Sequence, residues 1–253
     1  MKSLEFTLTV SPCLGCAVCP QSALAAAYTG DKAMTEAKFF HVMSALPNDV
    51  VCDFSGFSEP FLHKDAAHFM RLAATNHETR LFSTLMGLSE VMLYNLGETK
   101  FSYIRLHVPD GHALKIPKEV WLRQFNLFRK TGHSFTAMAM GPIEDDDFVK
   151  ILADRGVGVE FPPMLSRAGN VTDLHSHNYS GPIRCAADRW HNNVLLPNGD
   201  VVACCMDWSL TMPLGNLLRE PYATIETRAN VYERNNNPPA DSICRKCEWA
   251  APL

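Results

Sequence analysis

A chain of 253 residues is long enough to bury a sizeable core and, as an α/β barrel, to form one domain with a small appendage. Its formal net charge of −4 provides no chain-wide basic field and argues against a nucleic-acid partner. No apolar run approaches the roughly 18 residues of a membrane span, and MKSLEFTLTV lacks a secretory signal's apolar core and cleavage site, so no membrane association and a cytoplasmic location are expected.

In chain order, the first apolar and branched run, Leu4 to Val10, predicts a strand, and Cys13, Cys16 and Cys19 follow it directly. A helix is expected from TEAKFFHVMSAL with Thr35 as its N-cap, then a strand over Val50 to Gly56, a helix in KDAAHFMRLAATN and a strand over Thr79 to Leu85. Tyr103 to Val108 predicts the fourth strand, and KEVWLRQFNLFRKTG a helix that starts after Pro117 and stops at Gly132. Strands are also expected over Ser134 to Met140 and Gly158 to Pro163. The helix between them, EDDDFVKILADRG, places the acids Asp145, Asp146 and Asp147 near its start, where the helix dipole favours them. Such repeated βα units imply a parallel sheet, open or closed into a partial barrel, with ligands at the carboxyl ends of its strands. The cysteine loop, GFSEP (Gly56 to Pro60), STLMG (Ser83 to Gly87) and HVPDG (His107 to Gly111) would then share one mouth.

From about Leu165 the texture turns polar and turn-rich. NNVLLPNGDVVACC predicts a hairpin about Asn198 and Gly199, and the chain closes on a Cys244-x-x-Cys247 hook. This part looks too small to fold alone without a metal staple.

Nine cysteines in a reducing compartment point to metal or redox chemistry rather than disulfides. They gather at the two ends of the chain, which predicts two sites. Three thiolates leave one iron of a [4Fe–4S] cluster open to a non-protein ligand; a zinc ribbon borrowing Cys52 or a histidine is the structural alternative.

TVSPCLGCAVCPQ, DFSGFSEPFLHKD, SRAGN (Ser166 to Asn170) and the stretch from Cys185 to CRKC together resemble the radical S-adenosylmethionine enzymes that end in a SPASM or twitch domain. The resemblance implies a partial (βα)6-type TIM barrel over 1–164 and a small iron–sulfur domain over 165–253. By that likeness Cys13, Cys16 and Cys19 hold a [4Fe–4S] cluster that chelates S-adenosylmethionine, and Gly56, Phe57, Ser58 and Glu59 form the turn that receives the methionine amino group. This chain has two residues, Leu14 and Gly15, where the family usually has three, and Ser58 where it usually has glycine. Thirteen residues separate Cys185 from Gly199 and four separate Gly199 from Cys204, as in the family's pattern. Cys204, with Cys205 as the competing position, thus joins Cys185, Cys244 and Cys247 around an auxiliary [4Fe–4S] cluster, with zinc as the alternative occupant.

Weaker candidates complete the expected site. Ser83, Arg105, His107, Met138 and Met140 are placed toward cofactor or substrate, Glu160 toward the cavity, and Arg167 where twitch relatives carry an arginine near the substrate. Cys52 or Cys205 would supply a hydrogen atom if the reaction were an epimerisation. Trp190 and Trp208 are expected to cover the auxiliary cluster, while His175 and His177 read as exposed polar chain. The implied activity is radical oxidation of a sugar-like, aminocyclitol-like or peptidyl substrate, with a flavodoxin or ferredoxin as reductant. The other readings are a radical epimerase, a peptide-modifying maturase, and a noncatalytic iron–sulfur or zinc protein.

Overall fold

The computed structural model describes residues 2–10, 16–171 and 173–253, so Cys13 and the shortened spacing at Leu14 and Gly15 lie outside the described residues. The chain runs β1 (Ser3–Phe6), α1 (Gln21–Ala27), α2 (Glu36–Ala45), β2 (Val51–Phe54), α3 (Ala66–Ala73), β3 (Thr79–Ser83), α4 (Leu93–Glu98), β4 (Tyr103–His107), α5 (Lys118–Arg129), β5 (Thr136–Met138), α6 (Asp146–Asp154) and β6 (Val159–Glu160). There follow β7 (Ile183–Cys185), β8 (Asn192–Leu195), β9 (Asp200–Val202), β10 (Pro213–Asn216), α7 (Tyr222–Arg234) and β11 (Ala250–Pro252). Strands β1 to β6 pair in parallel in chain order, the topology that βα repeats dictate. They form a partial barrel rather than a closed one, in a nine-stranded sheet ordered β10-β9-β8-β1-β2-β3-β4-β5-β6.

Alternation along the strands separates core from lumen. Leu4, Phe6 and Leu8 face the helices and pack with Phe39, Phe54 and Phe69; Phe6 stacks on Phe54 at 5.3 Å and Phe39 on Phe69 at 4.3 Å. Each fully buried phenylalanine stabilises the fold by about 2 kcal/mol. The other face of β1 presents Ser3, Glu5 and Thr7. Thr7 N makes the last bond toward β8, donating to Leu195 O at 2.9 Å, and beyond it Leu8 O and Val10 N turn to Met34 and Lys32. Strand β1 is therefore shorter than its apolar run.

Helix starts follow local chemistry. Thr35 Oγ1 accepts from Lys38 N at 3.3 Å at the start of α2, and Asp145 Oδ1 accepts from Phe148 N at 2.9 Å at the start of α6. Helices α1, α4 and α7 were not expected from the sequence. In α7 the buried side chains are Tyr222, Ile225 and Ala229, a sparse stripe in an otherwise polar segment.

The hairpin after residue 165 is not a separate layer. Strand β8 lies parallel to β1, with Ser3 opposite Asn192 and Phe6 opposite Leu195, so the C-terminal segment continues the barrel's own sheet. Strands β8 and β9 pair antiparallel about Gly199, whose φ of +88° favours glycine and whose Cβ position would lie 2.5 Å from Leu218 Cγ. Strands β7 and β11 pair separately and bring Cys185 opposite Ala250, three residues beyond Cys247. Among the described residues, no helix is long and apolar enough to cross a membrane.

Candidate functional site

The mouth is built from the loops after the first four parallel strands. Cys16 bridges to Leu114 after β4, Ala17 N donates to Ala113 O at 2.8 Å, and Cys19 N donates to Cys16 O at 3.3 Å. The Cys16 thiol is lowered to about 7, first by its hydrogen bond with Cys19 and, among smaller influences, by the Arg167 guanidinium, while burial opposes them. A thiol so placed ionises readily, as an iron ligand must.

The turn after β2 sits directly against β1. Gly56 has φ +69°, and a Cβ there would lie 2.2 Å from Thr7 Oγ1. Phe57 N donates to that same oxygen at 3.0 Å, and Gln21 Nε2 donates to Phe57 O at 2.8 Å. Thr9 Oγ1 reaches Ser58 Oγ at 3.5 Å. Glu59 is buried and accepts from Phe61 N, Ser83 Oγ, Thr84 N and Thr84 Oγ1 at 2.6 to 3.1 Å. Burial raises this carboxyl, the donors from Thr84 and Ser83 oppose it, and its oxygens are fully used in tying the β2 turn to the β3 turn. Both Glu59 and Ser83 thus shape the mouth from beneath.

The lumen holds Arg105, His107, Met138 and Glu160 on the faces of β4 to β6 turned away from the helices, with Met140 half-buried just beyond β5. Arg105 Nη2 donates to Glu160 Oε2 at 2.9 Å, and the guanidinium lies 5.5 Å from the Tyr103 ring centre. His107 is lowered to about 4 by burial, then by Arg167 and Arg105, so it is neutral at pH 7. Arg167 reaches the same space from a turn in which Arg167, Ala168 and Gly169 all have positive φ, at 54°, 56° and 78°. Two of these are not glycine, a strained geometry that needs outside support. Glu248 supplies it, accepting from Ser166 N and from Ala168 N.

Three lumen residues were not singled out in the sequence: Glu5, Asp53 and Arg80. Arg80 holds Asp53 in a two-point ion pair at 2.5 and 2.6 Å. Glu5 is 8% exposed and is lifted to about 7 by burial, then by Asp53, against the Ser55 hydroxyl and the charges of Arg189 and Arg167. The alternation of Glu5, Thr7 and Thr9 with Leu4, Phe6 and Leu8 carried this signal. Cys52 belongs to the opposite face: it is 0% exposed in the helix-side core, and burial pushes its thiol well up, so the structure does not bring it to the lumen.

Across the hairpin, Cys185, Cys204, Cys244 and Cys247 line a single cavity with Arg189, Trp190, Met212 and Trp249. Adjacent residues diverge here. Cys204 packs on the helix-side core and into this cavity, whereas Cys205 packs with Val10, Phe57 and Trp208 on the lumen side. Burial pushes Cys205 up to about 12, with Glu5 adding and Arg167 and Arg189 opposing. Trp190 lines the four-cysteine cavity as expected, but Trp208 does not: it lies on Phe57 at 4.6 Å, on the lumen side of the hairpin. His177 stacks on Tyr179 at 4.8 Å, with His175 beside it at 5.6 Å.

The donor chemistry suits a cluster. Cys185 Sγ accepts from Arg189 N at 3.5 Å and Cys247 Sγ from Trp249 N at 3.4 Å, contacts that stabilise thiolates. Among the described residues no three His, Cys, Asp or Glu come close enough to share one metal ion. A zinc ion at about 2.3 Å from each sulfur would need such a grouping. An iron–sulfur cluster takes each thiolate on a different iron and spans a wider ring. Four cysteines lining one cavity are the donor set that a [4Fe–4S] cluster takes.

Residues 185–248 match the SPASM family, an iron-sulfur cluster-binding domain. Curated protein sequences give no match. Among solved structures, BtrN in complex with AdoMet and 2-DOIA is similar at TM-score 0.66 and 15% identity, over 100% of this chain and 94% of that one. Native anSMEcpe with bound AdoMet is similar at TM-score 0.64 and 14% identity, over 98% and 86%. Streptococcus suis SuiB bound to precursor peptide SuiA follows at TM-score 0.55 and 11% identity, over 97% and 69%. The chain thus has the fold of the radical S-adenosylmethionine enzymes, a partial barrel ending in a SPASM-type iron–sulfur segment.

Proposed function

We propose that the protein is a radical S-adenosylmethionine oxidoreductase that dehydrogenates a small hydroxylated substrate, either sugar-like or aminocyclitol-like. The observation that carries this reading is the division at Cys204 and Cys205: one hairpin lines a four-thiol cavity on one face, and on the other it packs among apolar side chains that bring Cys205 within electrostatic reach of Glu5 and Arg167 in the lumen. An electron acceptor would therefore stand beside the space where a substrate is held. The structure of BtrN in complex with AdoMet and 2-DOIA, similar over 100% of this chain, is a precedent for a small molecule in this fold.

Cys16 and Cys19, with Cys13, would hold the first cluster; Cys185, Cys204, Cys244 and Cys247 would hold the second. When bound, the clusters and S-adenosylmethionine supply hydrogen-atom abstraction from carbon and a one-electron acceptor. The protein's own residues position and protect. Gly56 to Glu59 form a rigid turn against β1 for the methionine end of the cofactor. Arg105, held by Glu160, and neutral His107 offer polar contacts from β4 without adding a mobile charge. Arg167 reaches both Cys16 and the lumen electrostatically, so it would orient the substrate beneath the cofactor. A flavodoxin or ferredoxin would supply the electron, in a cytoplasmic setting.

One observation favours a second reading, epimerisation. Cys205 lies on the lumen side and keeps its S–H at neutral pH, the form a hydrogen-atom donor needs. Solvent deuterium in recovered substrate would support it; a product lighter by two hydrogens supports dehydrogenation.

The first test is anaerobic reconstitution, with iron and sulfide content and 5′-deoxyadenosine measured under dithionite for wild type and Cys16→Ala. About eight irons per chain and 5′-deoxyadenosine lost in the variant are expected. No cleavage by the wild type would sink the catalytic reading.

A further inference from the structure

The lumen contains several carboxyls, and of the buried ones Asp53, Glu59 and Glu5, Glu5 is the one that keeps an oxygen without a hydrogen-bond partner among the described residues. Asp53 is held at two points by Arg80, Glu160 is paired with Arg105, and Glu59 accepts four hydrogen bonds beneath the mouth. Glu5 differs. Its Oε2 accepts from Ser55 Oγ at 3.0 Å, and its Oε1 has no partner among the described residues. The groups facing it come from every surrounding element: Asp53 on β2 and Ser55 just after it, Arg80 on β3, Arg167 on the turn after β6, Arg189 after β7 and Cys205 after β9. Arg189 is held with its guanidinium 4.7 Å from the centre of the Trp249 ring, beside the four-cysteine cavity. Glu5 thus lies among groups that belong to the lumen and within electrostatic reach of a residue lining the second site.

We propose that Glu5 is a catalytic residue that takes the hydroxyl proton of the substrate as the alcohol becomes a ketone. This rests on the dehydrogenase reading above and adds the destination of the proton. The O–H proton goes to Glu5 Oε1; with the cofactors bound, the hydrogen atom on carbon would go to the 5′-deoxyadenosyl group and the remaining electron to the cluster that Cys185, Cys204, Cys244 and Cys247 would hold. The C=O bond forms, and Glu5 becomes a neutral acid whose second oxygen stays bound to Ser55. His107, neutral near pH 7, and Asp53, held by Arg80, do not compete for this proton.

The test uses reconstituted full-length protein with S-adenosylmethionine, dithionite and a panel of aminocyclitols, cyclitols and aldohexoses. Wild type, Glu5→Gln and Glu5→Asp are compared for ketone formed per 5′-deoxyadenosine, from pH 5.5 to 9, at matched iron content. The wild-type ratio should rise with pH through about 7. It should fall by about 100-fold or more in Glu5→Gln, the scale of a lost general base, with no pH limb, and Glu5→Asp should restore part of both. A Glu5→Gln ratio equal to wild type, or carrying the same pH limb, overturns the proposal. Cleavage of S-adenosylmethionine with no panel member oxidised overturns it as well, because the hydroxylated substrate is then wrong. No 5′-deoxyadenosine from the wild type instead removes the reading on which it stands.

Discussion

Burial lifts the Glu5 carboxyl from its ordinary value of 4.5 to about 7, so the folded protein keeps a proton that the unfolded chain releases. Between those two values the native state binds more protons, and the stability contributed by this group falls as pH rises. Glu5→Gln stays neutral throughout. It should unfold at higher denaturant than wild type at pH 8, by up to about 3 kcal/mol, with the difference closing near pH 4.5; equal stability at both pH values would contradict a raised Glu5. At Gly56 the constraint is steric: an added methyl meets Thr7 Oγ1 at 2.2 Å and Thr7 N at 2.9 Å, on a backbone with φ +69°. Gly56→Ala should cost about 2 kcal/mol or more and weaken S-adenosylmethionine binding, read by thermal melting and calorimetry. Residue types at this scale were partly legible. The Thr35 cap and the turn at Gly199 follow from local chemistry, whereas Glu5 sits in a strand whose alternation defines two faces without saying which one encloses the lumen.

At the scale of elements, the hairpin ending in Cys204 and Cys205 separates two chemistries by one residue. Cys204→Ala should lower iron by about four per chain, and Cys205→Ala should leave it near the wild-type value; the reverse result would exchange their assignments. Spacing from Gly199 favoured Cys204, and of the two it is Cys204 that lines the cavity with the other three cysteines. Most strands and long helices were also readable, because their apolar periods are strong. Helix α7 was not, since Tyr222, Ile225 and Ala229 make a thin stripe that gains meaning only against the strands it covers. Trp208 was misplaced for a related cause: proximity to a hairpin does not tell which face a side chain covers.

At the scale of the whole molecule, the sheet joins the two ends of the chain. Strand β1 is flanked by β2 on one side and by β8, nearly two hundred residues later, on the other. That parallel pairing has no local sequence signal, because it depends on long-range register rather than on a turn. Its energetic consequence is direct. A chain truncated after residue 164 would expose the backbone edge of β1, and with it Leu4 and Phe6 would lose neighbours. Such a fragment should elute from size-exclusion chromatography as oligomers or aggregate; a folded monomer would show that the hairpin is dispensable to the barrel.

Glu248 follows Cys247 directly and clasps the turn that presents Arg167. This adjacency ties the turn to the segment that carries Cys247, one of the four cysteines of the cavity. If Cys247 holds iron as proposed, filling the second site would fix Glu248 further, and the turn at Ser166 to Asn170 should become more resistant to protease. Timed iron delivery followed by limited proteolysis should show cleavage within residues 166–171 fading as the second centre fills, and cleavage that ignores iron would uncouple the two events. Filling one site would then stiffen the wall of the other.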